Sequence, residues 1–205
     1  KVGLIAPDET TVSWLRDHGA AVPDDWARWA TDPDAEVETE FCFDADDLEP
    51  QVAAPHSPEN ADRAGAYRGV RFQQAYIGAC TGAKLSDLRM AAEVLRGRKV
   101  AKGVRLLVAP ASVRATQAAA ADGTLATLTE AGAILMPSGC GACAGYGAGV
   151  LAANEVCLSS TARNFKGRMG DPTSQVYLAS PYTVAASAVA GTITDPREIL
   201  MEMAA

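Results

Sequence analysis

The chain has 205 residues, of which 48% are hydrophobic and 21% are charged, and its formal net charge is −7. This length and composition predict a globular protein with one large domain, or with one medium domain and a smaller companion. The acidic balance argues against a nucleic-acid partner, because such a protein must neutralise phosphates with clustered Lys and Arg. The apolar runs are too short for a membrane-spanning helix, and no signal peptide is recognisable.

Residues 1–66 are predicted to form a small α/β region that ends in a linker. Three elements are expected there: a strand over 2–7, a helix over 8–19 and a strand over 37–45. Cys42 lies in the second of these strands and is interpreted as a small buried hydrophobic residue. The segment 54–66 is rich in Pro, Asn, Ser and Ala and interrupts the periodicity, so we place the domain boundary there.

Residues 67–205 alternate predicted strands with predicted helices. The strands are expected over 71–80, 104–110, 133–137, 155–160 and 175–181. The helices are expected over 83–97, 112–123, 124–132 and 182–191. This alternation predicts an α/β fold of three layers, a parallel sheet flanked by helices on both faces.

Cysteines and arginines follow the carboxyl ends of several predicted strands. Cys80 ends the first strand of this region, and Cys140 and Cys143 follow the third strand in the loop SGCGACAGYG. Arg163 and Arg168 lie in the loop after the fourth strand. Because ligands bind outside the carboxyl ends of the strands in open parallel sheets, we expect these five residues to meet at one edge.

Cysteines with this spacing can close a disulfide, hold a metal or carry out redox chemistry. The odd total of five cysteines does not suggest a disulfide framework, and it favours a reducing, cytoplasmic compartment. A structural zinc site needs a fourth ligand, and neither His18 nor His56 is a convincing one. Three thiolates suit a [4Fe–4S] cluster with one iron open to a ligand, and arginines nearby would suit a di- or tricarboxylate.

Two alternatives use the same residues differently. The chain could be a metal-binding or interaction module that kept the fold without the chemistry. It could also be a thiol redox protein that uses Cys140 and Cys143. A redox pair of this spacing normally opens a helix directly, whereas this pair lies in a glycine-rich loop. Cys157 falls inside a predicted strand and is expected to be buried.

Three motifs resemble the aconitase superfamily, and particularly the large subunits of dehydratases acting on 3-isopropylmalate, on methylated malates or on homoaconitate. They are YIGACTGAKLSDLRMAAEVLRGRKVA, SGCGACAGYG and SSTARNFKGRMG, and the opening GLIAPDETT is also typical of those subunits. The likeness runs over nearly the whole chain, but it covers only the later half of such a subunit. It implies that residues 1–66 are part of the second domain and that 67–205 form the third domain.

The resemblance also implies a cofactor, a substrate and partners. Cys80, Cys140 and Cys143 match the ligands of a [4Fe–4S] cluster, and Arg163 and Arg168 match the substrate-binding arginines. The family reaction removes water from a hydroxy-carboxylate and adds it back. The proton base resides in a small, swivel-domain subunit, and other catalytic groups lie in the amino-terminal half. The resemblance therefore implies that this chain alone is inactive.

Three positions depart from the usual family motifs. Gly82 stands where Asn follows the first cysteine, Ala162 where Asn precedes the first arginine, and Ala79 where Ser precedes the first cysteine. These departures remove polar groups near the site, and they bear on the identity of the substrate.

Overall fold

A computed structural model of the chain describes residues 3–32 and 34–204, with side chains up to residue 201. It divides into two compact units, Lys1–Asp47 and Leu48–Ala205. None of the helices in the described residues is long and apolar enough to cross a bilayer.

The first unit contains one α-helix, α1 (Glu9–Asp17). The Asp8 carboxylate caps its amino terminus by accepting a hydrogen bond from the Thr11 N–H at 2.7 Å. Gly19 follows the carboxyl terminus with a φ of +77°, a conformation that glycine adopts without strain. The helix predicted over 8–19 is therefore confirmed.

Neither strand predicted in the first unit is present in its described residues, 3–32 and 34–47; Val2, which belongs to the predicted strand 2–7, lies outside them. Residues 37–44 and the described part of the segment 2–7 are irregular, and two short 3-10 helices span Trp26–Trp29 and Ala45–Asp47. A strand needs a partner for its backbone groups, and the described residues of this unit provide none. Cys42 is consequently exposed and not buried, so that interpretation was wrong.

The second unit is built on a seven-stranded sheet of order β2-β1-β7-β6-β3-β4-β5. The strands are β1 (Gln51–Ala53), β2 (Ala61–Arg63), β3 (Gln74–Gly78), β4 (Arg105–Ala109), β5 (Ile134–Leu135), β6 (Val156–Ser159) and β7 (Gln175–Ala179). The five predicted strands are confirmed as β3 to β7, and they form a parallel array. The hairpin β1–β2 joins its edge antiparallel to β7. This pairing places the hairpin in the second unit, with β1 just before the predicted boundary segment 54–66 and β2 within it.

Five helices accompany the sheet and confirm the α/β class. They are α2 (Leu85–Leu95), α3 (Val113–Ala121), α4 (Thr124–Glu130), α5 (Pro181–Ala190) and α6 (Pro196–Ala204). Helix α2 contacts α3, α4 and α5, and α5 contacts β3. The main core includes Ile77 and Leu106 from the sheet and Leu88 and Val184 from the helices.

The opposite face of the sheet is covered by loops instead of helices. Side chains alternate between the faces along a strand, and Tyr76, Leu107 and Cys157 point away from the helical core. They form a second cluster with Ala142 and Met169 from the two long segments that precede and follow β6. The sequence predicted helices on both faces of the sheet, but they cover only one face. The second face receives glycine-rich segments, which favour an irregular backbone.

Candidate functional site

The site lies where the order in which the chain adds parallel strands to the sheet reverses. From β3 the chain proceeds through β4 to β5 on one side, and then returns to β6 on the other side of β3. The carboxyl ends of β3 and β6 therefore flank a topological switch point, where open α/β sheets bind their ligands. Cys80 lies in the loop after β3, and Arg163 and Arg168 lie in the loop after β6.

The loop that carries Cys80 is packed against the start of the arginine loop. A Cβ atom added to Gly82 would lie 2.1 Å from the Ser160 carbonyl oxygen, so only glycine allows this approach. The Ser160 N–H donates to the Tyr76 carbonyl at 3.0 Å and extends the pairing of β6 with β3 beyond Ser159. The two loops are thus joined by backbone contacts at the switch point.

Cys140 and Cys143 lie in and beside a single 3-10 turn, Gly141–Ala144. The Cys143 N–H donates to the Cys140 carbonyl at 3.0 Å. A Cβ atom added to Gly145, at the end of this turn, would lie 3.0 Å from the Arg168 carbonyl oxygen. The cysteine pair therefore adjoins the arginine loop, and it does not open an α-helix as a redox pair of this spacing normally does.

The three candidate thiols remain accessible, and the fourth cysteine of this unit does not. All five cysteines of the chain are free of disulfides; Cys80 and Cys140 are exposed, and Cys143 is partly buried. Cys157 is fully buried in β6, and its burial raises the pKa of the thiol to about 12. The prediction that Cys157 is a buried core residue is confirmed, and the thiol is inert for ligation at neutral pH.

Tyr76 lies beneath the cysteine pair and was missed by the sequence analysis. Its burial raises the pKa of the phenol to about 12, and the neighbouring Cys143, Cys157 and Cys140 thiols act in the same direction when ionised. The phenol is therefore neutral across the physiological range. Side chains alternate between the two faces along a strand, so the assignment of Ile77 to the helical core would have placed its neighbour Tyr76 on the opposite face.

A cavity of about 320 Å³ opens beside the pair. Its lining includes Tyr76, Met136, Cys140 and Tyr146. Cys80 does not line this cavity. The structure thus places Cys140 and Cys143 in one turn beside Arg168, and it places Cys80 in another loop that packs against Ser160, at the start of the same arginine loop.

The two candidate arginines have cationic groups without counterions. Within the described residues, neither Arg163 nor Arg168 forms an ion pair. Arg163 is exposed, whereas Arg168 is partly buried. The Nε atom of Arg168 is buried and has no hydrogen-bond partner among those residues. Because an unpaired buried donor is costly, Arg168 holds a binding capacity that the described chain does not use.

Asn164 anchors the arginine loop, which the sequence analysis also did not anticipate. Its side chain is fully buried, and its Nδ2 donates to the Ala54 carbonyl at 2.8 Å. Ala54 follows β1, so this bond ties the loop to the hairpin at the sheet edge. The available signal was an amide residue next to Arg163 in RNFKGR, because such a residue needs internal partners once it is buried.

A single metal ion has no ready site in the described part of the chain. No three side chains of His, Cys, Asp or Glu among those residues lie close enough to share one ion. His18 stacks on Trp14 in the first unit, and His56 is exposed. In a cube of four irons each thiolate binds a different iron, so its ligands stand farther apart than the four ligands of a zinc ion.

Comparison with known proteins gives one consistent family. The sequence model of the aconitase family (aconitate hydratase) matches residues 62–191. The 3-isopropylmalate dehydratase large subunit 1 of Methanopyrus kandleri is 46% identical over 200 residues, which cover 98% of this chain and 47% of that protein. The homoaconitase large subunit of Thermus thermophilus is 49% identical over 199 residues, which cover 97% and 46%.

The chain therefore spans about half the length of the curated relatives it matches. The family model covers more than half of the chain, and the matched segment contains the five parallel strands and all three candidate loops. On the basis of this match and of the motifs in those loops, the chain belongs to the aconitase family.

Proposed function

We propose that this chain is the later half of a hydro-lyase large subunit that dehydrates and rehydrates a hydroxy di- or tricarboxylate, such as 3-isopropylmalate or a related malate. The observation that carries the proposal is the meeting of cysteine loops and unpaired arginines at one switch point. Residues 1–66 correspond to part of the second domain of the family, and residues 67–205 correspond to the third.

Cys80, Cys140 and Cys143 are the proposed ligands of a [4Fe–4S] cluster. Their thiols are free of disulfides and accessible, as ligation requires, while the other cysteine of the unit is buried. The glycines of the two loops allow the backbone to approach a bulky group closely. When bound, the cluster leaves one iron without a thiolate and so supplies a Lewis acid for the leaving hydroxyl.

Arg163 and Arg168 are the proposed binding groups for substrate carboxylates. A guanidinium presents two parallel donors to a carboxylate and keeps its charge at any physiological pH. The unpartnered Nε of Arg168 supports this role, because a carboxylate oxygen would satisfy it. The arginines hold the substrate in register with the two cysteine loops, since each of these loops packs against the arginine loop, one through Gly82 and the other through Gly145.

The base that removes the carbon-bound proton is proposed to come from outside this chain. Within the described residues, His18 stacks on Trp14 in the first unit, and His56 is an exposed residue of the β1–β2 turn. The relatives are named as large subunits, which implies a small subunit as partner. We assign the base to that subunit and the remaining positioning groups to the amino-terminal half, so this chain alone is expected to show no turnover.

The experiment that tests the proposal is anaerobic reconstitution of the chain with iron and sulfide. We expect about four irons per chain and a broad brown absorbance. Cys80→Ser, Cys140→Ser and Cys143→Ser are each expected to lower the iron content sharply. Cys42→Ser is the matched control, because Cys42 is exposed but lies in the other unit.

Three outcomes would contradict the proposal. Equal iron in the control and in the three site variants would exclude these ligands. Zinc bound without iron or sulfide would favour a metal-binding module. A reversible dithiol without metal would favour a thiol redox protein.

A further inference from the structure

We infer that Ser160 is a positioning residue that holds the Cys80 loop in place for cluster ligation. This inference rests on the proposed function, because it concerns one of the proposed ligands. It extends that proposal to a residue that touches neither the substrate nor the thiols.

Ser160 is the first residue after β6, and its side chain is almost completely buried. Its hydroxyl oxygen accepts a hydrogen bond from the Gly78 N–H at 3.1 Å. The same hydroxyl donates to the Gly82 carbonyl at 2.9 Å. One side chain therefore holds both ends of the five-residue stretch that has Cys80 at its centre.

The packing at Gly82 makes this arrangement tight. A Cβ atom there would lie 2.5 Å from the Ser160 Oγ and 2.1 Å from its carbonyl oxygen. Residues with a side chain at position 82, such as the Asn of the usual family motif, are therefore incompatible with this path of the loop. Gly82 and Ser160 form a matched pair, in which the missing side chain makes room for the bridging hydroxyl.

The same residue sets the position of Cys80 relative to the arginine loop. Arg163 follows three residues after Ser160, so a shift of the Cys80 loop away from Ser160 separates ligand and substrate-binding side chains. Gly78 and Gly82 are buried, and removal of the hydroxyl leaves an N–H and a carbonyl without their partner. Buried polar groups without partners are costly, so the loop is expected to move out toward water.

Ser159 provides a matched control on the same strand. It is fully buried, and its Oγ shares a hydrogen bond of 2.9 Å with the Thr161 hydroxyl. It also accepts from the Thr161 N–H at 3.2 Å. Ser159→Ala thus removes two buried hydrogen bonds, and neither of them involves the Cys80 loop. Ser160→Ala removes the bonds to the Gly78 N–H and the Gly82 carbonyl, together with a longer contact of 3.4 Å to the Gly78 carbonyl.

The test compares Ser160→Ala, Ser160→Thr and Ser159→Ala in the chain itself. The first measurement is amide hydrogen exchange of the segment 78–83 without any metal. We expect exchange there to rise about tenfold in Ser160→Ala, the effect of about one buried hydrogen bond, and to stay at the wild-type rate in Ser159→Ala. Ser160→Thr, which keeps the hydroxyl, is expected to restore most of the protection.

The second measurement is iron retained per chain after anaerobic reconstitution, with thermal melting recorded for every variant. We expect Ser160→Ala to lose iron several-fold faster than Ser159→Ala at comparable melting temperature. Unchanged exchange in 78–83, or iron retention equal to that of the wild type, overturns the role of Ser160 alone. A wild-type chain that takes up no iron overturns the proposed function and the inference together.

Discussion

The two units of this chain differ in how much of their structure is supported by packing. In the second unit, buried side chains such as Ile77 and Leu88 form a continuous core between sheet and helices. Among the described residues of the first unit, only Val12 has a buried side chain, whereas the side chains of Leu4, Trp29 and Phe43 are largely exposed. Helix α1 still forms there, because its hydrogen bonds and its Asp8 cap are local.

The difference shows which sequence signals depend on the rest of the protein. The alternation in VETEFCF is as regular as that of a real strand, but a strand forms only where another strand pairs with it. If packing causes this difference, substitutions that remove contacts in the second unit should cost more stability than substitutions in the first unit.

The largest expected effect concerns a leucine in each unit. Leu88→Ala removes a side chain that is fully buried between α2 and the sheet, and should lower the free energy of unfolding by about 2–5 kcal/mol. Leu4→Ala removes the same atoms from a side chain that is 91% exposed, and it should change the free energy of unfolding by less than about 0.5 kcal/mol. Urea denaturation followed by circular dichroism measures both. Equal losses would show that the first unit has a core of its own.

A smaller effect is expected from the carboxylate of Glu155. It accepts hydrogen bonds from Arg105 at 2.7 Å and from the Ala152 N–H at 2.9 Å. The hydrogen bond from the Ala152 backbone, followed by that from Arg105, lowers the pKa of Glu155 below its ordinary 4.5. A lowered pKa in the folded state stabilises the fold above about pH 4.5, and this stabilisation is lost as the pH falls through the folded value.

We therefore expect Glu155→Gln to cost about 1 kcal/mol at pH 7 and much less near pH 3. Unfolding curves at the two pH values measure the change. Glu9→Gln, in the exposed first turn of α1, is the control in the other unit and should leave the stability unchanged. A cost for Glu155→Gln that is independent of pH would contradict the assignment of the effect to its charge.

The smallest expected effect is confined to α1. Hydrogen bonds from the Thr11 backbone and hydroxyl lower the pKa of Asp8 below its ordinary 3.8, so the charged cap is lost as the pH falls through this lowered value. Asp8→Ala should speed amide exchange at Thr11 several-fold, while Asp8→Asn, which keeps an acceptor, should not. The second unit should be unaffected in both variants. A loss of global stability in Asp8→Ala would indicate that α1 is part of the main core.

Much of the candidate site could be predicted because its residues follow predicted strands. Parallel strands bring their carboxyl ends to one edge, so Cys80, Cys140 and Arg163 were expected there from their positions alone. Tyr76 and Asn164 were not anticipated, since their importance depends on what lies above and beside them. Gly82 was noted only as a departure from a motif, and its contact with Ser160 gives the departure a steric reason.

The sequence by itself determined the α/β class, the five parallel strands and the capped helix α1, because these follow from side-chain periodicity and local hydrogen bonds. Only the tertiary structure decided that loops cover the second face of the sheet, that the hairpin β1–β2 extends its edge, and that residues 37–44 remain unpaired. The physical reason is the same in each case. Backbone groups and apolar side chains take whichever partners the assembled fold brings within reach, and those partners are distant in sequence.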